Sequence, residues 1–173
     1  MKRLMKKLTV LFMVFVLGVS FVACAGAKDK VFTRAGLWII LTDEFVEKEY
    51  ISQTVCYESP KVAVYALKEE FTMLPGLSGW TLKQYAEQTL DVNGLDSGYF
   101  FSEKDYIYFE YEKQVHGNEY TYYATCHKSE DAFWLIQFAC FTKNYEDMKK
   151  DIVKYADSID FGAIVSEESG DAV

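Results

Sequence analysis

Histidine and serine, the side chains that most often carry acid–base and nucleophilic chemistry, occur here without a recognisable catalytic arrangement. The chain of 173 residues has two histidines, His116 in a predicted turn and His127 at the end of a predicted strand. No H-E-x-x-H motif, G-x-S-x-G motif or glycine-rich phosphate loop is present. Adjacent carboxylates such as Glu69 and Glu70 are more typical of a solvated surface than of an acid–base pair. The residues therefore predict no catalytic site, and the chain is not expected to be an enzyme.

Cysteine is the other reactive side chain, and its positions argue against a metal centre. Three of the four cysteines, Cys56, Cys126 and Cys140, lie in the body of the chain, with no C-x-x-C pair and no spacing that suits zinc. Because an odd number cannot pair completely, we expect small buried hydrophobic side chains, with one disulfide left open as an alternative. Residues 91–96 are the nearest approach to a calcium loop, and the end of a helix explains them better. No metal or cofactor is predicted.

Aromatic side chains crowd one stretch of the chain and form a candidate binding surface. Residues 99–123 contain ten tyrosines and phenylalanines. Alternation along a predicted strand places Tyr106, Tyr108 and Glu110 on one face, and Tyr122 on the next strand is expected to line the same groove. Tyrosine is enriched at binding sites, so a peptide, a glycan or a partner protein could stack there. The alternative is that these rings pack beneath a helix.

The fourth cysteine, Cys24, ends a segment with the features of a secretory signal. Four basic residues within the first seven precede an uncharged run over 8–23, which is short for a membrane span of about 20 residues. Its end, Val22-Ala23-Cys24, resembles the lipobox of bacterial lipoproteins, whose cysteine is acylated. The resemblance implies a lipid anchor on Cys24 and a location in the bacterial cell envelope, on the extracytoplasmic side of a membrane. An ordinary signal-peptidase site and an uncleaved anchor are the alternatives.

Charge and length characterise the chain beyond the signal. The chain has a net charge of −8, and loss of residues 1–23, with four basic and no acidic residues, leaves −12. Nucleic-acid phosphates repel such a domain, so no nucleic-acid partner is expected; the membrane is contacted through the lipid on Cys24. The expected organisation is a signal peptide over 1–23, a short tether over 24–30, one domain over 31–163 and an acidic disordered tail over 164–173.

Hydrophobic patterning predicts the elements of that domain. A capping box at Thr81 and Gln84 begins a helix that Asn93-Gly94 ends, and an apolar stripe predicts a second helix over 145–159. The run over 133–141 is apolar on both faces, so cover is expected on each side. The fold class is α+β, a layered αβα sandwich with a mostly antiparallel sheet of six or seven strands and two main helices. Strands are predicted over 36–41, 50–58, 61–71, 106–113, 119–126 and 133–141.

This order of elements resembles that of the PsbP-like and DcrB-like proteins. The segment Leu41-Thr42-Asp43-Glu44-Phe45 is similar to their apolar-Pro-acidic-x-aromatic segment, with Thr42 in the place of the proline. The helix opening Trp80-Thr81-Leu82, the strand over 133–141 and the helix end at 154–159 also fit. The resemblance implies an αβα sandwich used for binding and assembly, without a shared active site.

Three functions are compatible with these features. The favoured one is a surface-tethered lipoprotein that binds or assembles with a protein, peptide or glycan partner. A structural component that maintains the envelope is the second, and an extracytoplasmic hydrolase is the third. An open aromatic groove would favour binding, a closed surface would favour the structural role, and convergence of His127 with carboxylates would favour the hydrolase.

Overall fold

The computed structural model describes residues 27–96 and 98–162. The predicted signal peptide over 1–23, Cys24 and the predicted tail over 164–173 lie outside the described residues. Two helices are described, α1 (Leu82–Val92) and α2 (Tyr145–Asp157), each preceded by a short 3-10 turn. The strands are β1 (Asp29–Arg34), β2 (Leu37–Thr42), β3 (Val46–Lys48), β4 (Val55–Glu58), β5 (Ala63–Glu70), β6 (Phe100–Phe101), β7 (Ile107–Val115), β8 (Asn118–Lys128), β9 (Ala132–Phe141) and β10 (Asp160–Phe161).

A seven-stranded antiparallel sheet forms the centre of the domain. Its strand order is β3-β4-β5-β9-β8-β7-β6, so β9 is the middle strand. Trp134 and Phe138 are buried on one face of β9 and Phe133 on the other, which confirms the predicted cover on both sides. The strand predicted over 50–58 is shorter than expected, because a turn occupies its first half and β4 begins at Val55.

A second antiparallel sheet, in the order β1-β2-β10, packs against the large sheet. Leu37, Ile39 and Leu41 of β2 belong to the same core cluster as Trp134 and Phe138. The strands β1 and β10 were not predicted. The first is rich in charged and exposed residues, and the second has two residues that pair with a strand far away in sequence.

One helix packs on each face of the large sheet. On the α1 face, Tyr85 and Leu90 contribute to a core with Phe133. On the α2 face, Ile152 and Tyr155 join the core that the small sheet also fills. This layering confirms the predicted α+β fold class.

The ends of α1 result from local chemistry. Thr81 Oγ1 accepts a hydrogen bond from the Gln84 amide at 3.2 Å, and Gln84 Oε1 accepts one from the Thr81 amide at 2.9 Å. This is the predicted capping box, which satisfies amides that the first turn leaves unpaired. Gly94 has φ 62, a left-handed conformation that glycine adopts without strain, and the helix ends there.

Candidate binding surface

The structure divides the four predicted binding residues between two faces of the sheet. Residues paired across antiparallel strands share a face, and β7 pairs with β8 so that Tyr122 lies opposite Tyr111. Alternation along β7 then places Tyr106, Tyr108 and Glu110 on the α2 face, whereas Tyr122 lies on the α1 face. The expectation of one groove lined by all of them is therefore corrected, because the members project from opposite sides of the sheet.

Helix α2 covers the predicted residues on its own face. Tyr106 is 2% exposed, and its hydroxyl donates to Asp157 Oδ1 at 2.8 Å. Glu110 pairs with Lys149, whose Nζ lies 2.9 Å from Oε1, and Tyr108 is half-buried. Burial is the main cause that raises the pKa of Tyr106 to about 12. These contacts correspond to the alternative in which the rings pack beneath a helix.

The α1 face is covered only in part. An eleven-residue helix such as α1 is about 16 Å long, whereas an eleven-residue strand such as β8 extends about 37 Å. The helix packs over Phe109, Ala124 and Phe133 and leaves Tyr65, Tyr111 and Tyr122 of this face half-exposed. The open part contains a concave site of about 380 Å³, which we call the tyrosine groove; it is lined by Tyr50, Ser52, Gln53, Tyr65, Asn93, Tyr111, Lys113, Tyr122 and Gln137.

The strand register explains why a groove forms there. Ala63, Ala139, Tyr122 and Tyr111 stand in one row that crosses β5, β9, β8 and β7. The Tyr111 and Tyr122 rings stack, with centroids 4.8 Å apart and planes 3° apart. Since both alanines carry only methyl groups, Tyr122 has no large neighbour in its row on the β9 side. Tyr65 is the next residue of β5 on this face and stands across the gap.

Local contacts hold the two sides of the groove in place. Gln137 Nε2 donates a hydrogen bond to the Tyr111 hydroxyl at 2.7 Å. On the other side, the Tyr50 hydroxyl donates to Glu58 Oε1 at 2.8 Å, and the Tyr50 and Tyr65 rings meet edge to face with centroids 6.2 Å apart. The rings are therefore arranged before any ligand is bound.

The tyrosine hydroxyls of the groove are uncharged. Burial, with smaller contributions from nearby acidic groups, raises the pKa of Tyr65 to about 12. Burial also raises the pKa of Tyr111 and of Tyr122 above the ordinary value. These hydroxyls stay protonated at physiological pH, so each can both donate and accept a hydrogen bond. Lys113 is the charged side chain in the lining.

Most of the groove was not predicted from the sequence. Tyr50 lies in a turn where a strand was expected, and Tyr65 was assigned only to a buried strand. One sequence feature of the groove is nevertheless visible in β9, because Gln137 is a polar residue inside a strand that is otherwise apolar on both faces. A polar side chain at such a position needs a hydrogen-bond partner or access to solvent, and Gln137 has a partner in Tyr111.

His127 does not meet a carboxylate in the part of the chain that the structure describes. It is 7% exposed and lies between the rings of Tyr106 and Phe161. His127 Nε2 lies 2.9 Å from Thr125 Oγ1, and the same hydroxyl oxygen lies 3.2 Å from the Ile136 carbonyl oxygen. Burial lowers the pKa of His127 to about 3, so the ring is neutral near pH 7.

The three cysteines of the described residues lie in the core. Cys56, Cys126 and Cys140 are buried and free, as small hydrophobic side chains would be, and the disulfide alternative does not occur among them. Burial raises the pKa of Cys56 to about 11 and that of Cys126 to about 12, which disfavours the reactive thiolate. Within residues 27–96 and 98–162, no group of three or more His, Cys, Asp or Glu could hold a metal ion.

A larger cavity, of about 830 Å³, lies between the large and small sheets on the α2 face. Its lysine, Lys68, has Nζ 2.6 Å from Asp131 Oδ2 and 5.7 Å from the centroid of the Trp134 ring. This lysine is already paired with groups of the cavity wall. The tyrosine groove, in contrast, presents aromatic faces and hydroxyls that are still open to a ligand.

Comparison with known proteins identifies the fold. No protein-family pattern and no curated protein matches this chain. The solution structure of cyanobacterial PsbP (CyanoP) from Synechocystis sp. PCC 6803 is similar, with 9% identity, a TM-score of 0.54, and coverage of 84% of this chain and 99% of that one. The yeast Ran-binding protein Mog1p from Saccharomyces cerevisiae has 7% identity and a TM-score of 0.50, over 79% of this chain and 96% of that one.

A crystal structure from Bacteroides thetaiotaomicron VPI-5482 is also similar, with 12% identity and a TM-score of 0.54; the match covers 80% of this chain and 49% of that one. At these identities the likeness concerns the fold, and it confirms the expected PsbP-like α+β architecture. Among the residues that the structure describes, no helix is both long and apolar enough to cross a membrane.

Proposed function

We propose that this chain is an extracytoplasmic bacterial lipoprotein, anchored through lipid on Cys24, whose domain binds a partner in the tyrosine groove and catalyses no reaction. The observation that carries the proposal is the incomplete cover of the α1 face. Tyr65, Tyr111 and Tyr122 remain half-exposed there, around the concave site of the tyrosine groove. Amphipathic rings of this kind are typical of binding surfaces.

The fold supports a binding role. One structure with this architecture is described as a Ran-binding protein, so the architecture accommodates protein binding in at least that case. A fold alone does not determine a function, and the groove is the feature of this chain that gives the role a location.

The sequence around Cys24 supports the anchor. Because β1 begins at Asp29, residues 25–28 would connect the lipid to the domain, and four residues extend at most about 14 Å. The domain would stay close to the bilayer, while its charge of −12 after signal removal would be repelled by anionic headgroups. This combination favours a domain that is held near the surface without lying flat on it.

The environment of His127 supports the absence of catalysis. The ring is buried, its Nε2 is hydrogen-bonded to the Thr125 hydroxyl, and burial lowers its pKa to about 3, so it is not poised to exchange a proton near neutral pH. The other histidine, His116, is exposed in a hairpin turn and has no partner among the described residues that would make it a base.

Hydroxyl-radical footprinting of the full chain tests the binding role. Tyrosine oxidation is measured by mass spectrometry in intact cell envelopes and in the purified lipidated protein. Because a bound partner would shield the groove, we expect Tyr65 and Tyr122 to be oxidised at least threefold more slowly in envelopes. Tyr99, which is half-buried and lies outside the groove, is the matched control and should react equally in both.

A variant separates occupancy of the groove from general shielding by the envelope. In Tyr65→Leu, one wall of the groove loses its ring, so the protection of Tyr122 in envelopes should disappear while Tyr99 is unchanged. Equal oxidation of Tyr122 in envelopes and in purified protein, or protection that persists in the variant, would overturn the proposed function.

A further inference from the structure

We propose that the tyrosine groove binds a neutral oligosaccharide built of pyranose rings. The inference deepens the proposed function and rests on it, since it names the class of ligand that the same groove would take. Four features of the groove support this inference: the exposed faces of its aromatic rings, the type of polar group between them, the charge of its lining, and the hydrogen-bond pairing of the strands beneath it.

The ring faces match the apolar faces of sugars. A pyranose presents axial C–H groups on its faces, and these pack against aromatic faces through dispersion and weak C–H contacts. Tyr122 is stacked on Tyr111, and Tyr65 lies across the groove with Gln137 in the lining between them. The gap between these rings is a space suited to a flat saturated ring.

The polar groups match the rim of a sugar. Besides the tyrosine hydroxyls, the lining contributes the Ser52 hydroxyl and the amides of Gln53, Asn93 and Gln137. Hydroxyls and amides each offer both a donor and an acceptor, and sugar hydroxyls require both. The hydroxyls of Tyr65 and Tyr122 make no hydrogen bond to another described residue and are not buried from solvent, so they remain available to a ligand.

Charge favours a neutral ligand. The domain is strongly acidic, yet its carboxylates are absent from the lining of this groove, and Glu58 beside it already accepts a hydrogen bond from Tyr50. A cationic ligand would find no carboxylate in the lining, and an anionic ligand would find a single exposed lysine, Lys113. The volume of about 380 Å³ lies near the lower end of small-molecule sites, about 300 to 1,000 Å³, which suits a short glycan segment.

The main chain disfavours an extended peptide. Peptides that bind sheets add a strand to a free edge, but the floor strands β5, β9 and β8 are paired on both sides beneath the groove. These three strands offer no unpaired backbone groups, so recognition over the floor of the groove must come from side chains. The edge of β7 that β6 leaves unpaired, beyond Tyr108, lies at the rim of the groove. Recognition by side chains over the floor is the situation of a carbohydrate site and differs from strand addition.

Titration of the full-length lipidated protein with four neutral tetrasaccharides tests the assignment. The protein is placed in phosphatidylcholine vesicles, and cellotetraose, maltotetraose, mannotetraose and the N-acetylglucosamine tetramer are the probes. We expect at least one to bind by calorimetry and to receive saturation transfer from tyrosine rings. Because no charge is involved, the affinity should change less than twofold when NaCl is raised from about 0.05 to about 0.5 M.

Variants locate the site. Tyr65→Leu and Tyr122→Leu should each weaken the bound tetrasaccharide at least tenfold, and Tyr99→Leu should leave the affinity within twofold. Saturation transfer needs no variant and keeps the assignment testable if a substitution impairs folding. Failure of all four probes, or equal binding by every variant, would overturn the carbohydrate assignment. If Tyr65 and Tyr122 are protected in envelopes while no probe binds, the assignment is wrong and the binding function stands; if they are unprotected, the proposed function itself fails.

Discussion

At the scale of single residues, His127 links burial to the pH dependence of folding. Its pKa in the folded protein is about 3, whereas an unfolded histidine has a pKa near 6.5. Between these values the unfolded chain binds a proton that the folded chain does not. Above about pH 6.5, His127 is neutral in both states and does not lower the free energy of unfolding. As the pH falls from 6.5 toward 3, His127 lowers the free energy of unfolding by at most about 1.4 kcal/mol per pH unit.

Replacing His127 with a side chain that does not titrate should remove this dependence. The amide of His127→Gln can donate a hydrogen bond to Thr125 or accept one from it. Between pH 7 and pH 5, we expect the free energy of unfolding of this variant to fall by about 2 kcal/mol less than that of the wild type. Urea denaturation at both pH values measures it, and the carboxylates contribute equally to both proteins. His116→Asn, in an exposed turn with φ 49 that asparagine tolerates, is the control and should keep the wild-type slope. Identical slopes for wild type and His127→Gln would contradict the buried neutral state.

At the scale of elements, α1 is positioned at its start by the capping box and by β8. Lys128 Nζ donates to the carbonyls of Ser78 and Trp80, at 3.1 and 2.7 Å, and ties the chain before the helix to the end of that strand. The ring of Tyr85 stacks on Phe133, with centroids 4.4 Å apart and planes 6° apart. The helix is thus fixed over one end of the sheet. Because it is short, it does not cover the other end, where the tyrosine groove lies.

Loss of the cap should destabilise the protein modestly. We expect Thr81→Ala to lower the free energy of unfolding by about 1 kcal/mol, because the Gln84 amide loses its acceptor. Chemical denaturation measures the change, and faster hydrogen exchange of the first-turn amides would place it at the helix start. Gln88→Ala, an exposed position on the same helix, should stay within about 0.5 kcal/mol of the wild type. A loss for Gln88→Ala as large as that for Thr81→Ala would show that the cap is not its source.

The same helix shows how far the sequence could predict the structure. Its start, its end and its apolar stripe are encoded in local patterns, and these predictions are confirmed. Its position over one end of β8 depends on contacts such as Tyr85 with Phe133, which are distant in sequence and carry no local signal. Alternation along one strand therefore predicts a single surface with Tyr106, Tyr108, Glu110 and Tyr122. Of these, only Tyr122 lies on the face that carries the groove, together with Tyr65.

At the scale of the whole molecule, the two sheets join distant parts of the chain. Asp160 of β10 pairs with Trp38 of β2. Lys154 of α2 forms a salt bridge with Asp29 of β1, with Nζ 2.8 Å from Oδ2. The start and the end of the described chain are thereby fixed to opposite ends of the small sheet, where Asp29 pairs with Thr42 and Phe161 pairs with Leu37. Such long-range pairs involve short or charged segments, and for that reason β1 and β10 were not predicted.

The position of β1 makes the anchor testable on the whole protein. Two acyl chains bind a membrane stably, whereas one binds only marginally, so the domain should depend on Cys24 for its location. We expect Cys24→Ala to move the protein from the membrane fraction to the soluble fraction or to leave the signal uncleaved. Cell fractionation measures the location of the protein. Mass spectrometry of the amino-terminal peptide shows whether the signal is cleaved and whether residue 24 is acylated. Cys140→Ala, which alters a buried thiol in the core, is the matched control and should stay in the membrane fraction with an acylated Cys24. A mature wild-type chain that begins at Ala27, or at an unmodified Cys24, would refute the lipid anchor and leave the groove to be explained in a protein free of the membrane.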